Sequence, residues 1–203
     1  RGAGSVVLAS RSGMLAHGST VEWDAASTSG ALMTLEQCDT SEVAHVCRLG
    51  PFVPSGVWHA AGVVADALLP KHNGAALHRV YGPKACGSWT LHKMNVNGEV
   101  LAFSLFSSVA ALLGGAGQAN YAAANACLDS LAYYRRTRGT AAASVQWGAW
   151  AEVGMAARGA ASERMAAMEA ASGFGRIGLA EGLAALDISV RHSSPSVLGV
   201  VPV

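Results

Sequence analysis

The sequence predicts an α/β fold, a Rossmann-like doubly wound parallel sheet with helices on both faces. Two observations support this class. Short β-branched runs alternate along the chain with longer helical segments, and most of these runs are apolar throughout rather than alternating with polar residues. Strands buried on both faces have this pattern, and right-handed βαβ crossovers place the connecting helices on the two faces of one sheet.

In the amino-terminal part, residues 5–10 and 32–37 are short apolar runs that end in polar turns, which is typical of buried strands. The Ser-, Thr- and Gly-rich segment between them predicts a loop with a short helix at 21–26. A helix at about 41–49 follows, because Ser41 and the acidic residue after it form a suitable helix start.

The rest of the chain repeats this alternation of strand, turn and helix. Apolar runs predict four more strands, at 57–61, 100–106, 142–147 and 196–201. The segments between them predict helices at 75–94, 119–137 and 180–186, with a further Ala-rich stretch at 161–171. The region 153–175 is rich in Gly and Ala and contains three Met residues, so it is interpreted either as a lid over a site or as a plain surface helix.

Composition restricts the function classes. The 203 residues, read as one domain over 1–203, are 51% hydrophobic and only 13% charged, so much of the chain must be buried or covered. No apolar run reaches the ~18 to 20 residues of a membrane span. The net charge of +1 provides no field for nucleic acid or an anionic membrane. The four cysteines are widely spaced, which argues against a zinc site and a disulfide framework and favours a cytoplasmic location.

Candidate ligand-binding residues follow the first two strands, where ligands of doubly wound sheets bind. Ser10, Arg11 and Ser12 lie at the end of the first run, where an arginine is either a solvated loop charge or the group that accommodates the 2′-phosphate of a dinucleotide. NADPH is therefore favoured over NADH as the cofactor. Asp39 and Thr40 follow the second run, where Asp39 could accept from an adenine amino group or help to cap the next helix.

Two later strand ends carry small or hydroxyl residues. His59 precedes three small residues that leave the backbone accessible to an extended ligand, and it is interpreted either as a core histidine facing the backbone or as a cofactor neighbour. The candidate cofactor-binding residues at these two ends are Ala60, Ala61, Gly62, Phe106 and Ser107.

The strongest chemical signal is a tyrosine with polar neighbours at fixed spacings. Ser108 ends the predicted central strand, Tyr121 follows thirteen residues later, and Asn125 lies one helical turn beyond it. Three Ala residues between Tyr121 and Asn125 keep that helix face open for a ligand. A phenol with a pKa near 10 is a poor acid at neutral pH unless a cation stabilises its anion, so a lysine is expected nearby.

These residues form part of a larger set of motifs. The set comprises His59–Gly62, the Gly-Pro-Lys segment through His92, Phe106–Ser108, Gly114–Asn125 and Gln146–Trp150. Together, from about residue 6 to 186, the motifs resemble the ketoreductase domain of polyketide synthases, a branch of the short-chain dehydrogenase/reductase superfamily. In most short-chain dehydrogenases the lysine lies four residues after the tyrosine. In polyketide ketoreductases the positions of this lysine and of an asparagine on the preceding helix are exchanged. This chain resembles them, with Asn125 on the tyrosine helix and Lys84 on the earlier one.

The resemblance implies NADPH-dependent reduction of a β-ketoacyl thioester on an acyl carrier protein. Tyr121 would donate the proton to the ketone oxygen and Ser108 would hydrogen-bond that oxygen. Lys84 would lower the pKa of the phenol and help to hold the nicotinamide ribose, and Asn125 would complete the tetrad. The resemblance also places three residues against the nicotinamide, namely Gly148, Ala149 and Trp150. No metal is implied, and the expected partners are the carrier protein and other domains of the same synthase.

The family's Gly-rich phosphate loop follows the first strand of the fold and opens a helix. The segment Arg1-Gly-Ala-Gly-Ser5 instead precedes a strand, so we expect this sequence to begin near the second strand of the fold. An absent central strand would leave a slot between two unpaired strand edges. The chain alone would then bind NADPH weakly unless the missing part is supplied.

Three positions relate to stereocontrol in the resembled family: Asp66, Leu113 and Met155. Asp66 matches the last residue of a Leu-Asp-Asp pattern found in family members that form the D-configured alcohol. Leu113 occupies the position at which the other stereochemical group has a Trp. The resemblance therefore favours the D-configured alcohol. Two alternatives remain open at this stage. A fatty acid synthase ketoreductase would share the motifs, and a non-catalytic structural domain of a synthase would be consistent with an absent phosphate loop.

Overall fold

A computed structural model describes residues 3–49, 54–95, 100–152 and 173–202. The strands are β1 (Ser5–Ser10), β2 (Leu32–Gln37), β3 (Gly56–His59), β4 (Ala102–Ser108), β5 (Ala143–Trp147) and β6 (Val197–Val200). The α-helices are α1 (Thr20–Ser27), α2 (Val43–Arg48), α3 (Gly74–Tyr81), α4 (Gly87–Met94), α5 (Ala110–Leu113), α6 (Ala119–Thr137) and α7 (Leu179–Ser189). A 3₁₀ turn covers Leu69–Lys71, and a π-helix covers Gly82–Cys86 between α3 and α4.

All strand pairs are parallel, as predicted, but the described strands form two sheets rather than one. One sheet contains β1 and β2, and the other has the order β3-β4-β5-β6. Within the described residues β1 and β3 do not pair. The division between the two sheets therefore falls between these two strands.

Helices cover both faces of the four-stranded sheet. On one face Phe103 and Leu105 of β4 pack with Leu128 and Leu131 of α6. On the opposite face Val145 and Trp147 of β5 pack with Ile177 and residues of α7. Successive side chains of a strand point to opposite faces, so β5 directs its intervening polar residues towards α6. This arrangement confirms the predicted Rossmann-like class.

The boundaries of β1, β2 and α6 agree with the sequence prediction, whereas other elements differ. Strand β3 ends at His59, so the predicted strand residues Ala60 and Ala61 lie in the following loop. Strand β4 begins and ends two residues later than predicted. The short helix α5 and the 3₁₀ turn were not predicted, and the predicted segment 161–171 lies outside the described residues.

The predicted helix at 75–94 contains a π-helical turn at its centre. Pro83 has no backbone N–H and cannot make the α-helical hydrogen bond to the residue four positions earlier. The chain adopts the wider π turn over Gly82–Cys86 and returns to α-helix at Gly87. Such turns occur often at functional sites, and this one carries Lys84. Within the described parts of the chain, no helix combines the length and apolarity that crossing a membrane requires.

Candidate functional site

Three elements bring the four predicted tetrad residues to one place. Strand β4 ends at Ser108, α6 carries Tyr121 and Asn125 one turn apart, and the π-helix contributes Lys84. The α6 helix packs against both β4 and the π-helix, so the three segments meet at the carboxyl end of the central strand. Ligands of doubly wound sheets bind at this end.

Lys84 is buried and directed into the site. Its side chain is 3% exposed, and its Nζ donates to the carbonyl oxygen of Phe106 at 2.9 Å. The same Nζ lies 5.3 Å from the centre of the Tyr121 ring. Burial lowers the pKa of the Lys84 ammonium to about 8, although the carboxylate of Asp129 acts in the opposite direction. The ammonium thus lies next to the Tyr121 ring, where the sequence analysis expects a cation.

Tyr121 is buried against Val80, Ala110 and Ala124. Burial raises the pKa of its phenol, and interactions with the side chains of Asn125 and Ser108 partly oppose that rise. The phenol is therefore protonated at neutral pH. A protonated phenol with anion-stabilising groups around it is a suitable proton donor.

Asn125 is fully buried and only partly satisfied. Its Nδ2 donates to the carbonyl oxygen of Tyr121 at 2.8 Å, which fixes the amide on α6. Its Oδ1 has no hydrogen-bond partner among the described residues. A buried acceptor without a donor costs about 1–3 kcal/mol. This oxygen can therefore accept a hydrogen bond from a hydroxyl group of a bound ligand or from a water molecule.

The two serines at the end of β4 have different roles. The hydroxyl of Ser107 donates to the carbonyl oxygen of Asn125 at 3.3 Å and ties the strand to the tyrosine helix. The Oγ of Ser108 accepts from the N–H of Ala110 at 3.2 Å, so its own proton remains available for a substrate oxygen.

His59 supports the segment that carries the lysine. It is buried, and its Nε2 lies 2.8 Å from the carbonyl oxygen of Pro83. Of the two interpretations offered by the sequence, this geometry matches the core histidine that faces the backbone. A side chain at Gly62 would contact Lys84, since an added Cβ would lie 2.8 Å from its Cε. Position 62 therefore has no room for a Cβ while Lys84 keeps its place, which suits glycine.

The residues predicted to hold the adenosine end lie at the carboxyl ends of β1 and β2. Gln37 donates to the carbonyl oxygen of Arg11 at 3.1 Å, and the hydroxyls of Ser10 and Ser12 are 3.3 Å apart. Hydrogen bonds from the backbone and hydroxyl of Ser41 lower the pKa of Asp39, and Arg11 contributes in the same direction. Asp39 thus organises the turn into α2, and Thr40 is the next residue in that turn.

The residues expected against the nicotinamide follow β5. The N–H of Gly148 donates to Val200, and Ala149 accepts from Ile177 at 2.8 Å. Trp150 packs on Trp147 with ring centres 4.9 Å apart. These contacts hold residues 148–150 against Ile177 and the end of β6.

The predicted stereocontrol residues are only partly described. Gln118 approaches the two carboxylate oxygens of Asp66 at 3.4 and 3.5 Å, so Asp66 lies next to the loop that leads to the tyrosine. Leu113 is exposed at the end of α5. Met155 and most of the predicted lid lie outside the described residues.

One residue near the site was not singled out from the sequence. Asp129 lies four residues after Asn125 and eight after Tyr121, and its carboxylate accepts from the side chains of Ser144 and Gln146. The i, i+4, i+8 spacing on one helix was the available signal. Among the described residues no group of three or more His, Cys, Asp or Glu side chains could hold a metal ion.

Comparison with known proteins gives matches over most of the chain. A family model described as "KR domain" matches residues 1–152. Spectinabilin polyketide synthase system protein NorB of Streptomyces orinoci is 42% identical over 193 residues, which is 91% of this chain and 9% of that protein. Polyketide synthase GfsA of Streptomyces halstedii is 40% identical over 190 residues, 91% of this chain and 2% of that protein. The chain thus spans less than a tenth of these relatives.

Solved structures are similar over nearly the whole chain. An A1-type ketoreductase superposes with a TM-score of 0.90 at 31% identity, over 98% of this chain and 42% of that one. The first ketoreductase of the tylosin polyketide synthase gives a TM-score of 0.85 at 33% identity, over 98% of this chain and 43% of the other. The chain therefore corresponds to less than half of each of these solved proteins.

Proposed function

The chain belongs to the ketoreductase (KR) domain family of polyketide synthases, and from this premise we propose that it reduces a β-ketoacyl thioester to the β-hydroxyacyl thioester. The observation that carries the proposal is the convergence of Lys84, Tyr121, Ser108 and Asn125 at the carboxyl end of β4. The proposed substrate is a ketone on an acyl carrier protein, and the proposed cofactor is NADPH.

The site fits a nicotinamide cofactor on three counts. The unpaired Oδ1 of Asn125 is a buried acceptor, the Lys84 ammonium is a buried donor, and the small residues at 60–62 leave the backbone open beside it. Lys84 would hold the nicotinamide ribose. The cofactor, when bound, supplies the hydride that forms the new C–H bond.

The chain's own residues would then handle the oxygen of the ketone. As the carbonyl π bond breaks, negative charge develops on this oxygen, and the hydroxyl of Ser108 donates a hydrogen bond to it. The Tyr121 phenol transfers its proton to the same oxygen, so the product is an alcohol and the tyrosine is left as a phenolate. The Lys84 ammonium, 5.3 Å from the ring, stabilises that phenolate.

Arg11 supports the choice of NADPH, because this cation directly follows β1 and acts on Asp39, on the adenosine side of the predicted site. The D-configured alcohol favoured by Asp66 and Leu113 stays a prediction. It can be checked by chiral analysis of the product.

The experiment compares the chain with its Tyr121→Phe variant. Each is prepared alone and joined to the upstream segment of a solved relative, and NADPH oxidation is followed with a β-keto thioester. We expect turnover to fall by a factor of at least about 10³ in the variant, with the dissociation constant for NADPH unchanged. If the joined protein binds NADPH but neither it nor its Tyr121→Phe variant reduces any ketone, a non-catalytic structural domain becomes the better assignment.

A further inference from the structure

Residues 62–67, which we call the wall segment, run past both Lys84 and Tyr121. They lie in neither a helix nor a strand, so no ladder of backbone hydrogen bonds holds them. At the start of the segment Gly62 lies against the side chain of Lys84. Further along, Ala65 packs on the apolar cluster that contains Tyr121. The position of the wall segment therefore shapes the space beside the tyrosine.

The end of the wall segment is attached to the residues that lead into α6. The N–H of Ala67 donates to the carbonyl oxygen of Gly117 at 2.9 Å. The Nε2 of Gln118 also reaches the carboxylate of Asp66, at a longer distance of 3.4 Å. These contacts join the segment to the loop in front of the helix.

Asn120 joins the same segment to the tyrosine. This side chain is only 2% exposed, and its Nδ2 donates to the carbonyl oxygen of Ala65 at 2.9 Å. Its Oδ1 accepts from the backbone N–H of Tyr121 at 2.7 Å, one of the N–H groups that have no acceptor within the first turn of a helix. An amide meets both requirements, whereas an ionised aspartate could only accept.

The position of the wall segment matters because reduction of a β-ketone creates a stereocentre. The two substituents of the ketone differ, its oxygen would be held by Ser108 and Tyr121, and the hydride would come from the bound cofactor. The remaining freedom is which substituent lies on which side of the oxygen. A displaced wall segment changes how well each of these two orientations fits, and the difference between them sets the ratio of the two alcohols.

We propose that Asn120 is a positioning residue of the reductase site: by tying Ala65 to Tyr121 it holds the wall segment where one orientation of the ketone is favoured. The inference deepens the proposed function and rests on it for the selectivity. The tie itself can be measured without any turnover.

The tie is tested by hydrogen exchange at the Ala67 amide, followed by NMR in the full chain. Asn120→Asp keeps an acceptor for the Tyr121 N–H and loses the donor to Ala65 at neutral pH. Asn120→Ser is polar but too short to reach Ala65, and it carries the test if Asn120→Asp does not fold. In both variants the loss of one hydrogen bond should make exchange at Ala67 faster by about fivefold.

Asn95→Asp is the matched control. Asn95 is also buried, at the end of α4, and its Nδ2 donates to the carbonyl oxygen of Leu91 at 2.8 Å. The control therefore loses the same kind of hydrogen bond away from the site, and exchange at Ala67 should stay as it is in the unmodified chain.

The selectivity is tested in the joined protein described above, with NADPH and an N-acetylcysteamine thioester of 3-oxopentanoate. The two 3-hydroxy products are separated by chiral chromatography. We expect the ratio of major to minor alcohol to fall by at least about fivefold in Asn120→Asp and Asn120→Ser, and to stay constant in Asn95→Asp. A product ratio does not depend on how much of the enzyme is folded, so a merely structural role would not change it.

Each outcome decides a separate point. Unchanged exchange at Ala67 in both Asn120 variants overturns the tie, and so does an equal rise in Asn95→Asp. Faster exchange with an unchanged product ratio overturns the role in selectivity. If no form reduces a ketone, the proposed function fails and the selectivity falls with it, while the exchange result still decides whether Asn120 holds the wall segment.

Discussion

The Nε2 of His59 donates to the carbonyl oxygen of Pro83, the residue that precedes Lys84 in the π-helix. This hydrogen bond at 2.8 Å joins the end of β3 to the segment that carries the lysine. An imidazole that donates through Nε2 is either the neutral ring, with Nδ1 unprotonated, or the charged imidazolium. The surroundings oppose the charge, because His59 is buried and Lys84 is close.

We predict that the chain loses stability in acid through His59. Its pKa is lowered to about 4 in the folded state, against about 6.5 when unfolded, so the unfolded state binds more protons between these values. The free energy of unfolding should therefore fall as pH drops from 6.5 to 4, by about 3 kcal/mol from this residue. Urea unfolding of His59→Gln, which keeps an N–H near Pro83, should show a shallower pH dependence. Equal slopes for the two proteins would contradict this.

We predict that Lys84→Met abolishes reduction and stabilises the fold. Burial lowers the pKa of Lys84 from 10.5 to about 8, so the protonated side chain costs free energy at pH 7. Removing the buried charge stabilises the variant, whereas the loss of the donor to the Phe106 carbonyl offsets part of that gain, so the free energy of unfolding should rise by about 1–3 kcal/mol. The advantage should shrink between pH 8 and 10.5, where the unmodified protein gains stability. The matched control Lys93→Met, at an exposed position, should change stability by less than about 0.5 kcal/mol.

We predict that Gly62→Ala lowers kcat without unfolding the protein. The new Cβ would lie 2.8 Å from the Cε of Lys84 and 3.2 Å from its Nζ, so the ammonium must move from the Phe106 carbonyl. A displacement of this size can reduce turnover by about 10²-fold. Gly74→Ala is the control, because an added Cβ there meets no atom within 4 Å. Equal rates for the two variants would exclude steric control of Lys84.

We predict that Arg11 determines the preference for NADPH. Arg11→Ala should raise the KM for NADPH by about tenfold and leave the KM for NADH nearly unchanged, since only the former carries the 2′-phosphate. Initial rates at several concentrations of each dinucleotide test this. Arg191→Ala serves as the control, because Arg191 pairs with Asp187 in the carboxyl-terminal part of the chain. A parallel loss with both cofactors would assign Arg11 to folding.

The sequence predicts most of the fold because its strands are apolar and its turns are marked by polar residues. Helix α6 agrees at both ends with the prediction, and so do β1 and β2. The π turn was not predicted, because Gly82 and Pro83 within a helical pattern suggest a kink or a break and do not specify the turn type. The two-sheet division was expected only through the family resemblance.

The candidate site, like the fold, could be predicted only in part from the sequence. Tyr121 and Asn125 are close in sequence, so their shared helix face follows from the periodicity alone. Asp129 could not be distinguished from a solvent-facing helix residue, because its partners on β5 come from a different element and their side-chain directions depend on the register of β4 with β5. Long-range contacts of this kind appear only once the sheet is assembled.

The π-helix also makes the site sensitive to chain length in a way that substitutions do not test. A π turn contains one residue more than an α turn, and each residue of a helix rotates the following side chains by about 100°. Deleting Pro83 would let α3 and α4 join as a regular helix and would turn the flanking side chains about 100° relative to one another. An insertion or deletion in these five positions should therefore separate the lysine from the tyrosine even when every tetrad residue is retained.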